Sequence, residues 1–299
     1  MIGRKSHRIW IILSSLVCLL VFIYIPNRAE TTTYDRVVLI GVDGAGAYFR
    51  KAETPNFDRI FADGAITFEM KAIVSTNSGP GWGSMFYGVS GNTLKLDYET
   101  VLSNHFSIEG HPSIFRLIKE KWPEKEVASI VGWAPINYGI IDGEDSKIYL
   151  EPEGNDAEDL TDNEVGNKAI DCLKNKNPVL LFVQLEQTDE AGHEYGFGSP
   201  MHLKAISHAD EIIGKIFEQV DENTLFIVTT DHGGTQWGTH GGASVAERMC
   251  IFAIHGKTVQ KQAEIGEMEL QDVAAVVLMR LESNNRTLIR QACHQGFIE

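Results

Sequence analysis

The sequence has little positive charge for its length. Its 299 residues include 26 Lys and Arg against 41 Asp and Glu, which gives a formal net charge of -15. Proteins that grip duplex nucleic acid need clustered Lys and Arg to neutralise the phosphates, so the composition argues against that class of partner. A small anionic substrate stays compatible with this charge if metal cations neutralise it locally.

Cysteine is also scarce. The chain has 4 cysteines, with no C-x-x-C pair and no spacing typical of a metal finger. Cys18 lies in an apolar run near the N-terminus, and Cys172, Cys250 and Cys293 allow one disulfide plus a free thiol. We therefore assign no chemistry to the cysteines.

Two common catalytic signatures are missing as well. Residues 39–46 (LIGVDGAG) have the glycine-rich end of a dinucleotide-binding turn, but Phe49 replaces the third glycine of G-x-G-x-x-G, and Asp43 would repel a pyrophosphate unless a cation intervened. No G-x-S-x-G elbow and no Ser-His-Asp order accompany the serine-rich loop further on. Activation of a hydroxyl by a metal is the natural alternative.

One long apolar run is present at the N-terminus. Residues 9–25 (IWIILSSLVCLLVFIYI) follow three basic residues and precede Pro26. The run is just long enough to span a bilayer, and the lack of a small-residue cleavage site favours an uncleaved signal anchor over a removed signal peptide. A buried core helix is the alternative.

The basic flank predicts the orientation of this anchor. It keeps residues 1–8 in the cytoplasm as a basic tail, with a transmembrane helix at residues 9–25 and a linker at residues 26–34. Residues 35–299 are then expected outside the cytoplasm, as a single exported domain on a single-pass membrane protein.

Apolar strand-like runs alternate with helical patterns along the exported segment. Strands are predicted at residues 36–42, 127–131, 178–185, 224–230 and 249–254. Helices are predicted at residues 54–64, 113–121, 161–174, 202–220 and 270–281. This alternation indicates an α/β sandwich with a mainly parallel sheet.

Carboxylates and imidazoles follow three of the predicted strands. Because the carboxyl ends of parallel strands meet at one edge of a sheet, we expect these side chains to converge. Oxygen and nitrogen ligands together suit zinc. Each residue taken alone is explained equally well as a turn or surface residue, but their shared placement favours a metal site. The side chains are Asp43, Asp189, His193, Asp231, His232 and His240.

A loop rich in turn residues spans residues 75–85 (STNSGPGWGSM) and leads into an apolar stretch suited to a helix. Such a loop presents a hydroxyl and backbone amides at a helix N-terminus, where developing negative charge is stabilised. A plain polar turn is the alternative when this loop is considered alone.

Six motifs follow one another along the chain: VDGAG, TPNFDRI, S-x-P-x-W, D-x-x-x-H, DHGG and HGG. This ordered set resembles the alkaline phosphatase superfamily, particularly its type I phosphodiesterase and nucleotide pyrophosphatase branch. The resemblance extends from about Val37 to Ala275. It implies an alkaline phosphatase-like three-layer sandwich with a mainly parallel central sheet, preceded here by the transmembrane helix. It also implies two divalent metal ions, expected to be Zn²⁺.

The resemblance further implies a role for each residue. One metal would be held by Asp189, His193 and His240, and the second by Asp43, Asp231 and His232. Ser78 would bridge toward the second metal and attack phosphorus, giving a phosphoseryl enzyme that is then hydrolysed. The expected activity of the catalytic domain, residues 35–299, is hydrolysis of a small phosphate ester such as a nucleotide.

Some positions depart from the patterns of the superfamily. Sulfatases need an Arg where Trp82 stands, so a sulfatase is disfavoured. Diesterases of the branch place Asn where Gly81 stands and a second Asn further on, near Asn92 or Asp97 here. The stretch at residues 133–138 is a candidate substrate wall or a packed loop. The predicted substrate contacts are Gly79, Asn92, Asp97, Trp133, Asn137 and Tyr138.

Other activities fit the same constellation. A phosphomonoesterase or phosphonate hydrolase of the superfamily is one alternative, although a monoesterase is expected to add Lys or Arg to meet the extra charge of its substrate. A phosphotransferase that passes the seryl phosphate to an alcohol is another. A metal-binding module without activity is expected to have lost some of the seven side chains, and all seven are present.

Overall fold

The structure is a computed structural model that describes residues 34–94, 96, 101, 111–142, 146–149 and 162–281. These residues belong to one compact unit. The predicted anchor at residues 9–25, Asp97 and Cys293 lie outside them. Within the described ranges, no helix combines the length and the apolar character needed to cross a membrane.

A seven-stranded sheet forms the centre of the described fold, in the order β2-β7-β6-β1-β5-β3-β4. The strand β7 runs antiparallel to its neighbours β6 and β2, and the other pairs are parallel. The prediction of a mainly parallel sheet is therefore confirmed. The strands are β1 Arg36–Val42, β2 Ala65–Lys71, β3 Val127–Val131, β4 Ser146–Tyr149, β5 Leu180–Leu185, β6 Thr224–Thr229 and β7 Met249–His255.

Helices connect most of these strands. The described α-helices are α1 Pro55–Phe61, α2 Ser78–Tyr87, α3 Gly91–Leu94, α4 Ile114–Lys121, α5 Asp162–Asn175, α6 Gln187–Tyr195, α7 Pro200–Phe217, α8 Val245–Arg248 and α9 Asp272–Leu281. A 3-10 helix at Gly46–Arg50 follows β1, and a π-helix at Ile136–Ile140 follows β3.

Both faces of the sheet are covered by helices. In β1, Val37 and Leu39 point into one apolar cluster and Val38 and Ile40 into another, because successive side chains of a strand alternate between faces. The first cluster includes side chains of α2, α4 and α9, and the second includes side chains of α1, α5 and α7. The three layers bury every residue of β5 and β6, which explains why those strands read as continuous apolar runs.

The structure differs from the sequence-based assignment in some of its strands and in two helices. The strands β2 and β4 were not predicted, and β7 joins the sheet antiparallel to β6. The segment from Asp189 to His193, where no helix was predicted, lies within the helix α6. The helix α7 begins at Pro200, because Ser199 caps it and proline suits the first helical turn.

The described cysteines are free. Cys172 and Cys250 are both buried thiols. Their burial raises the pKa of Cys172 to about 11, which keeps this thiol protonated and unreactive at neutral pH.

Candidate active site

The predicted acidic residues converge at the carboxyl edge of the central strands. Asp43 directly follows β1, Asp231 lies just beyond the end of β6, and Asp189 lies in the first turn of α6 after β5. Because β1 lies between β5 and β6 in the sheet, the three strand ends are neighbours and bring these carboxylates together.

One candidate metal group consists of Asp189, His193 and His240, whose ligand atoms lie within 4.8 Å of one another. Asp189 and His193 are four residues apart on α6 and so share one face of the helix. His193 Nε2 lies 3.1 Å from Asp189 Oδ2 and 3.1 Å from His240 Nε2. The hydrogen bond to Asp189 raises the pKa of His193 to about 9.

The second candidate metal group consists of Asp43, Asp231 and His232, again with ligand atoms within 4.8 Å of one another. His232 Nε2 lies 3.5 Å from Asp43 Oδ1 and 3.4 Å from Asp231 Oδ2. The ring of His240 stacks on the ring of His232 with centroids 4.0 Å apart, so the two groups adjoin.

The three imidazoles are oriented in the same way. Each Nδ1 lies against a backbone carbonyl: His193 against Gly238 O at 2.8 Å, His232 against Gly233 O at 2.9 Å, and His240 against Thr76 O at 2.8 Å. A carbonyl only accepts, so each Nδ1 donates, and each ring directs its Nε2 toward the shared centre, where an unprotonated Nε2 can bind a cation. Histidines that bind metals are held in this way by a hydrogen bond at the other ring nitrogen.

Two oxygen atoms of the site carboxylates lack the hydrogen-bond partners that buried charges require. Asp189 Oδ1 and Asp231 Oδ2 are buried and accept no hydrogen bond from the residues that the structure describes. Burial and the nearby Asp189 raise the pKa of Asp43, and burial and the nearby Asp43 raise the pKa of Asp231 well above its usual range. Unsatisfied, crowded carboxylates beside imidazole Nε2 atoms fit divalent cations.

Ser78 lies against the second group. It is the first residue of α2, and its Oγ lies 3.1 Å from His232 Nε2 and 3.3 Å from Asp43 Oδ1. The hydroxyl therefore meets the candidate metal group at a helix N-terminus, which favours negative charge. Gly81 passes close to Asp231, since a Cβ atom built on it would lie 3.2 Å from Asp231 Cβ.

Thr76 connects the Ser78 loop to the His240 loop. Its hydroxyl donates to Gly242 O at 3.0 Å and accepts from Gly241 N at 3.0 Å, while its carbonyl accepts from His240. The sequence offered no signal for this role, because a threonine in a polar turn has no distinguishing pattern. These contacts hold the Ser78 loop against the His240 loop.

A family model described as type I phosphodiesterase / nucleotide pyrophosphatase matches residues 37–271 of the chain. The chain belongs to this family. The match covers all seven candidate site residues, and it confirms the resemblance stated from the motifs.

Among similar proteins is the catalytic subunit of human GPI ethanolamine phosphate transferase 3, which is 28% identical over 120 residues, covering 40% of this chain and 11% of that protein. The chain thus matches about a tenth of the length of such relatives. Murine ectonucleotide pyrophosphatase / phosphodiesterase 5 has a TM-score of 0.65 at 17% identity, covering 86% of this chain and 99% of that one. An alkaline phosphatase superfamily protein from Vibrio parahaemolyticus has a TM-score of 0.61 at 21% identity, covering 83% and 66%. These structures share the fold of this phosphodiesterase family member.

The predicted substrate contacts have different surroundings. Gly79 is buried in the first turn of α2, and Asn92 lies in the short helix α3. Trp133 is half-buried, and Tyr138 is 47% exposed. Asn137 is completely buried, and its side chain accepts from Ser129 Oγ at 2.6 Å. Asn137 is thus packed within the π-helix, whereas Trp133 and Tyr138 are accessible to solvent.

Gly44 directly follows Asp43 and packs against Asp189. Its replacement by alanine is expected to disrupt the candidate metal group of Asp189, His193 and His240. Gly44 has φ +64°, and a Cβ atom there would lie 2.4 Å from Asp189 Oδ1 and 2.9 Å from Asp189 Cα. We expect Gly44→Ala to lower the free energy of unfolding by about 1 kcal/mol or more and to lower the metal content.

Thermal unfolding and metal analysis of the purified protein test this expectation. Gly266→Ala is the matched control, because a Cβ atom on Gly266 would meet nothing within 4 Å. Wild-type stability and metal content in Gly44→Ala would show that the close approach to Asp189 has no consequence.

Proposed function

We propose that this chain is a two-metal enzyme that cleaves phosphate diesters through a phosphoseryl intermediate on Ser78. The observation that carries the proposal is the position of the Ser78 hydroxyl, at the N-terminus of α2 and within 3.3 Å of both Asp43 and His232. Asp189, His193 and His240 would hold one cation, and Asp43, Asp231 and His232 the other, with Zn²⁺ as the metal best suited to these ligands.

The chemistry divides between the cations and the protein. When bound, the two divalent cations supply charge stabilisation at the attacking and leaving oxygens of an in-line displacement. Ser78 gives up its hydroxyl proton as Oγ forms a bond to phosphorus, the bond from phosphorus to the leaving oxygen breaks, and an alcohol leaving group takes up a proton from water. The N-terminus of α2 favours the negative charge of the phosphoryl group. Water then attacks the phosphoseryl group and releases Ser78.

The family match favours a diester over a monoester, and the ion pairs of the described residues agree with it. Among the described residues, no Lys or Arg forms an ion pair with any of the seven site side chains. A terminal phosphate carries an additional negative charge that phosphomonoesterases are expected to meet with a basic side chain. A diester, with a single negative charge, needs no such group.

Phosphotransfer is the second candidate, because several similar proteins are GPI ethanolamine phosphate transferases. The first half of the reaction would be the same. The difference lies in the group that attacks phosphoserine, which is an alcohol in a transferase and water in a hydrolase.

A substrate panel on the Zn²⁺-loaded protein tests both candidates. We expect faster release of nitrophenol from a nitrophenyl diester than from nitrophenyl phosphate, and cleavage of a nucleotide pyrophosphate. Addition of ethanolamine or a simple sugar as acceptor distinguishes the candidates, because transfer product in excess of hydrolysis product indicates a transferase. A protein that binds Zn²⁺ but cleaves none of these esters would contradict the proposal.

The location of the enzyme follows from the sequence alone. We propose that residues 9–25 anchor the chain in a membrane and that the catalytic domain at residues 35–299 lies outside the cytoplasm, based on the basic N-terminal flank.

A further inference from the structure

The two carboxylate oxygens of Asp43 have different partners. Oδ1 faces Ser78 Oγ at 3.3 Å and His232 Nε2 at 3.5 Å. Oδ2 accepts two hydrogen bonds, from Trp82 Nε1 at 2.9 Å and from Gln184 Nε2 at 2.9 Å. Asp43, Trp82 and Gln184 are all completely buried. The carboxylate is therefore held in one orientation, with Oδ1 toward the candidate metal group.

Gln184 also contacts the loop that follows β3. Its Oε1 accepts from Gly132 N at 2.9 Å and from Trp133 N at 2.9 Å. Because backbone N–H groups only donate, the amide oxygen must face this loop, and the amide nitrogen must face Asp43. A single side chain thus connects Asp43 to the beginning of the loop that carries Trp133.

Trp82 is held by packing on β1 and β5. Its ring lies with its centroid 5.5 Å from that of Phe182 and 6.3 Å from that of Phe86. Gly41 leaves room for the indole, since a Cβ atom on Gly41 would lie 2.3 Å from Trp82 Cη2. This packing fixes the indole ring, so its N–H group stays directed at Asp43.

We infer that Trp82 and Gln184 are positioning residues of this site, which orient Asp43 for the second cation and, through Gln184, hold the loop at residues 132–133 beside it. The inference rests on the proposed function, because it takes Asp43 as a ligand of that cation. Hydrogen bonds from the surrounding protein to a metal-binding carboxylate commonly contribute to affinity for the metal.

The chemistry of position 184 is specific to an amide. Its nitrogen donates to Asp43 and also to Glu186 Oε2. A glutamate of the same shape would place a third carboxylate oxygen against these two, and like charges at this distance repel strongly in a buried site. Its other oxygen could still accept from the loop at residues 132–133.

Gln184→Glu therefore separates the contact of Gln184 with Asp43 from its contact with the loop at residues 132–133. We expect its affinity for the second Zn²⁺ ion to fall by about 10- to 100-fold, with an unchanged KM for a nitrophenyl diester once Zn²⁺ is saturating. Gln184→Met removes the contact with Asp43 and the contact with the loop. It is expected to lower the affinity for the second Zn²⁺ ion and also to raise KM. Calorimetric titration of the metal-free protein with Zn²⁺ measures the affinities independently of activity.

Trp82→Phe tests the other donor. It keeps a ring in the pocket but removes the N–H group, so we expect weaker binding of the second Zn²⁺ ion and an unchanged KM at saturating Zn²⁺. Gln236→Glu is the matched control for charge, because Gln236 is exposed in the loop between His232 and His240. It should bind both Zn²⁺ ions as the wild-type protein does.

Asp43→Ala distinguishes failure of this inference from failure of the proposed function. Loss of one Zn²⁺ ion in Asp43→Ala together with wild-type Zn²⁺ affinity in folded Gln184→Glu and Trp82→Phe would overturn the positioning role. Retention of both ions in Asp43→Ala would overturn the proposed second metal site and the inference with it. If circular dichroism shows that Gln184→Glu does not fold, Trp82→Phe decides the metal contact and Gln184→Met the loop contact.

Discussion

Ser78→Ala is expected to reduce turnover of a diester by roughly 10³-fold or more, the scale on which removal of a catalytic nucleophile acts, while both metal ions stay bound. The reason is geometric. The Ser78 hydroxyl lies 3.1 Å from His232 Nε2 at the N-terminus of α2, and alanine leaves no atom to bond to phosphorus. The six candidate metal ligands are unchanged by the substitution.

Two measurements check this prediction. Release of nitrophenol from a diester reports turnover, and mass spectrometry of acid-quenched protein reports phosphate on the peptide that contains Ser78. Ser75→Ala is the control, because Ser75 is exposed in the same loop and its hydroxyl contacts Asn77. Wild-type turnover by Ser78→Ala would remove Ser78 as the nucleophile.

Removal of the metals is expected to abolish activity, and added Zn²⁺ is expected to restore it. Without cations, the main stabilisation of the charge that builds on the attacking and leaving oxygens is lost. The carboxylates of Asp43, Asp189 and Asp231 would also face each other with only the neighbouring imidazoles to offset their charge. A protein whose activity is indifferent to a chelator would contradict the whole two-metal proposal.

Removal of the metals should also make the thermal stability of the protein depend on pH. Burial, followed by the charge of Asp189, raises the pKa of Asp43 above its ordinary value of 3.8. Burial, followed by the charge of Asp43, raises the pKa of Asp231. When the pKa of a carboxyl group is higher in the folded state than in the unfolded state, the folded protein loses stability as pH rises above the pKa of the unfolded state. We therefore expect the Tm of the chelated protein to fall as pH rises from acid toward neutral, and Zn²⁺ to offset that fall.

Thermal unfolding with chelator and with Zn²⁺, across this pH range, measures the effect. The Gly266→Ala variant, which alters an open position, should follow the wild-type curve under both conditions. A chelated protein whose Tm is independent of pH would show that the crowded carboxylates cost no stability.

The candidate site residues were predictable because each belongs to a local pattern. Asp43 and Asp231 follow apolar runs that form the buried strands β1 and β6. The edge at which parallel strands end then brings these carboxylates together. The motif order along the chain supplied the grouping into two sets, and the structure places the members of each set within 4.8 Å.

Thr76, Trp82 and Gln184 could not be recognised in the same way. Gln184 lies inside an apolar strand, where its polarity is one exception in a buried run, and Trp82 reads as a core residue of α2. Their roles come from contacts with residues far away in the sequence, such as the 141 positions that separate Gln184 from Asp43. No local pattern encodes a contact of that kind.

The sequence by itself determined the alternation of strands and helices, the mainly parallel sheet and the acidic residues at its carboxyl edge, because periodicity and apolar runs act locally. Only the tertiary structure decided that β7 runs antiparallel, that each histidine turns its Nε2 toward the centre, and that Asp43 directs Oδ1 toward Ser78. These features depend on which strands lie side by side and on which buried donors reach a given atom. Both are set by packing across the whole domain.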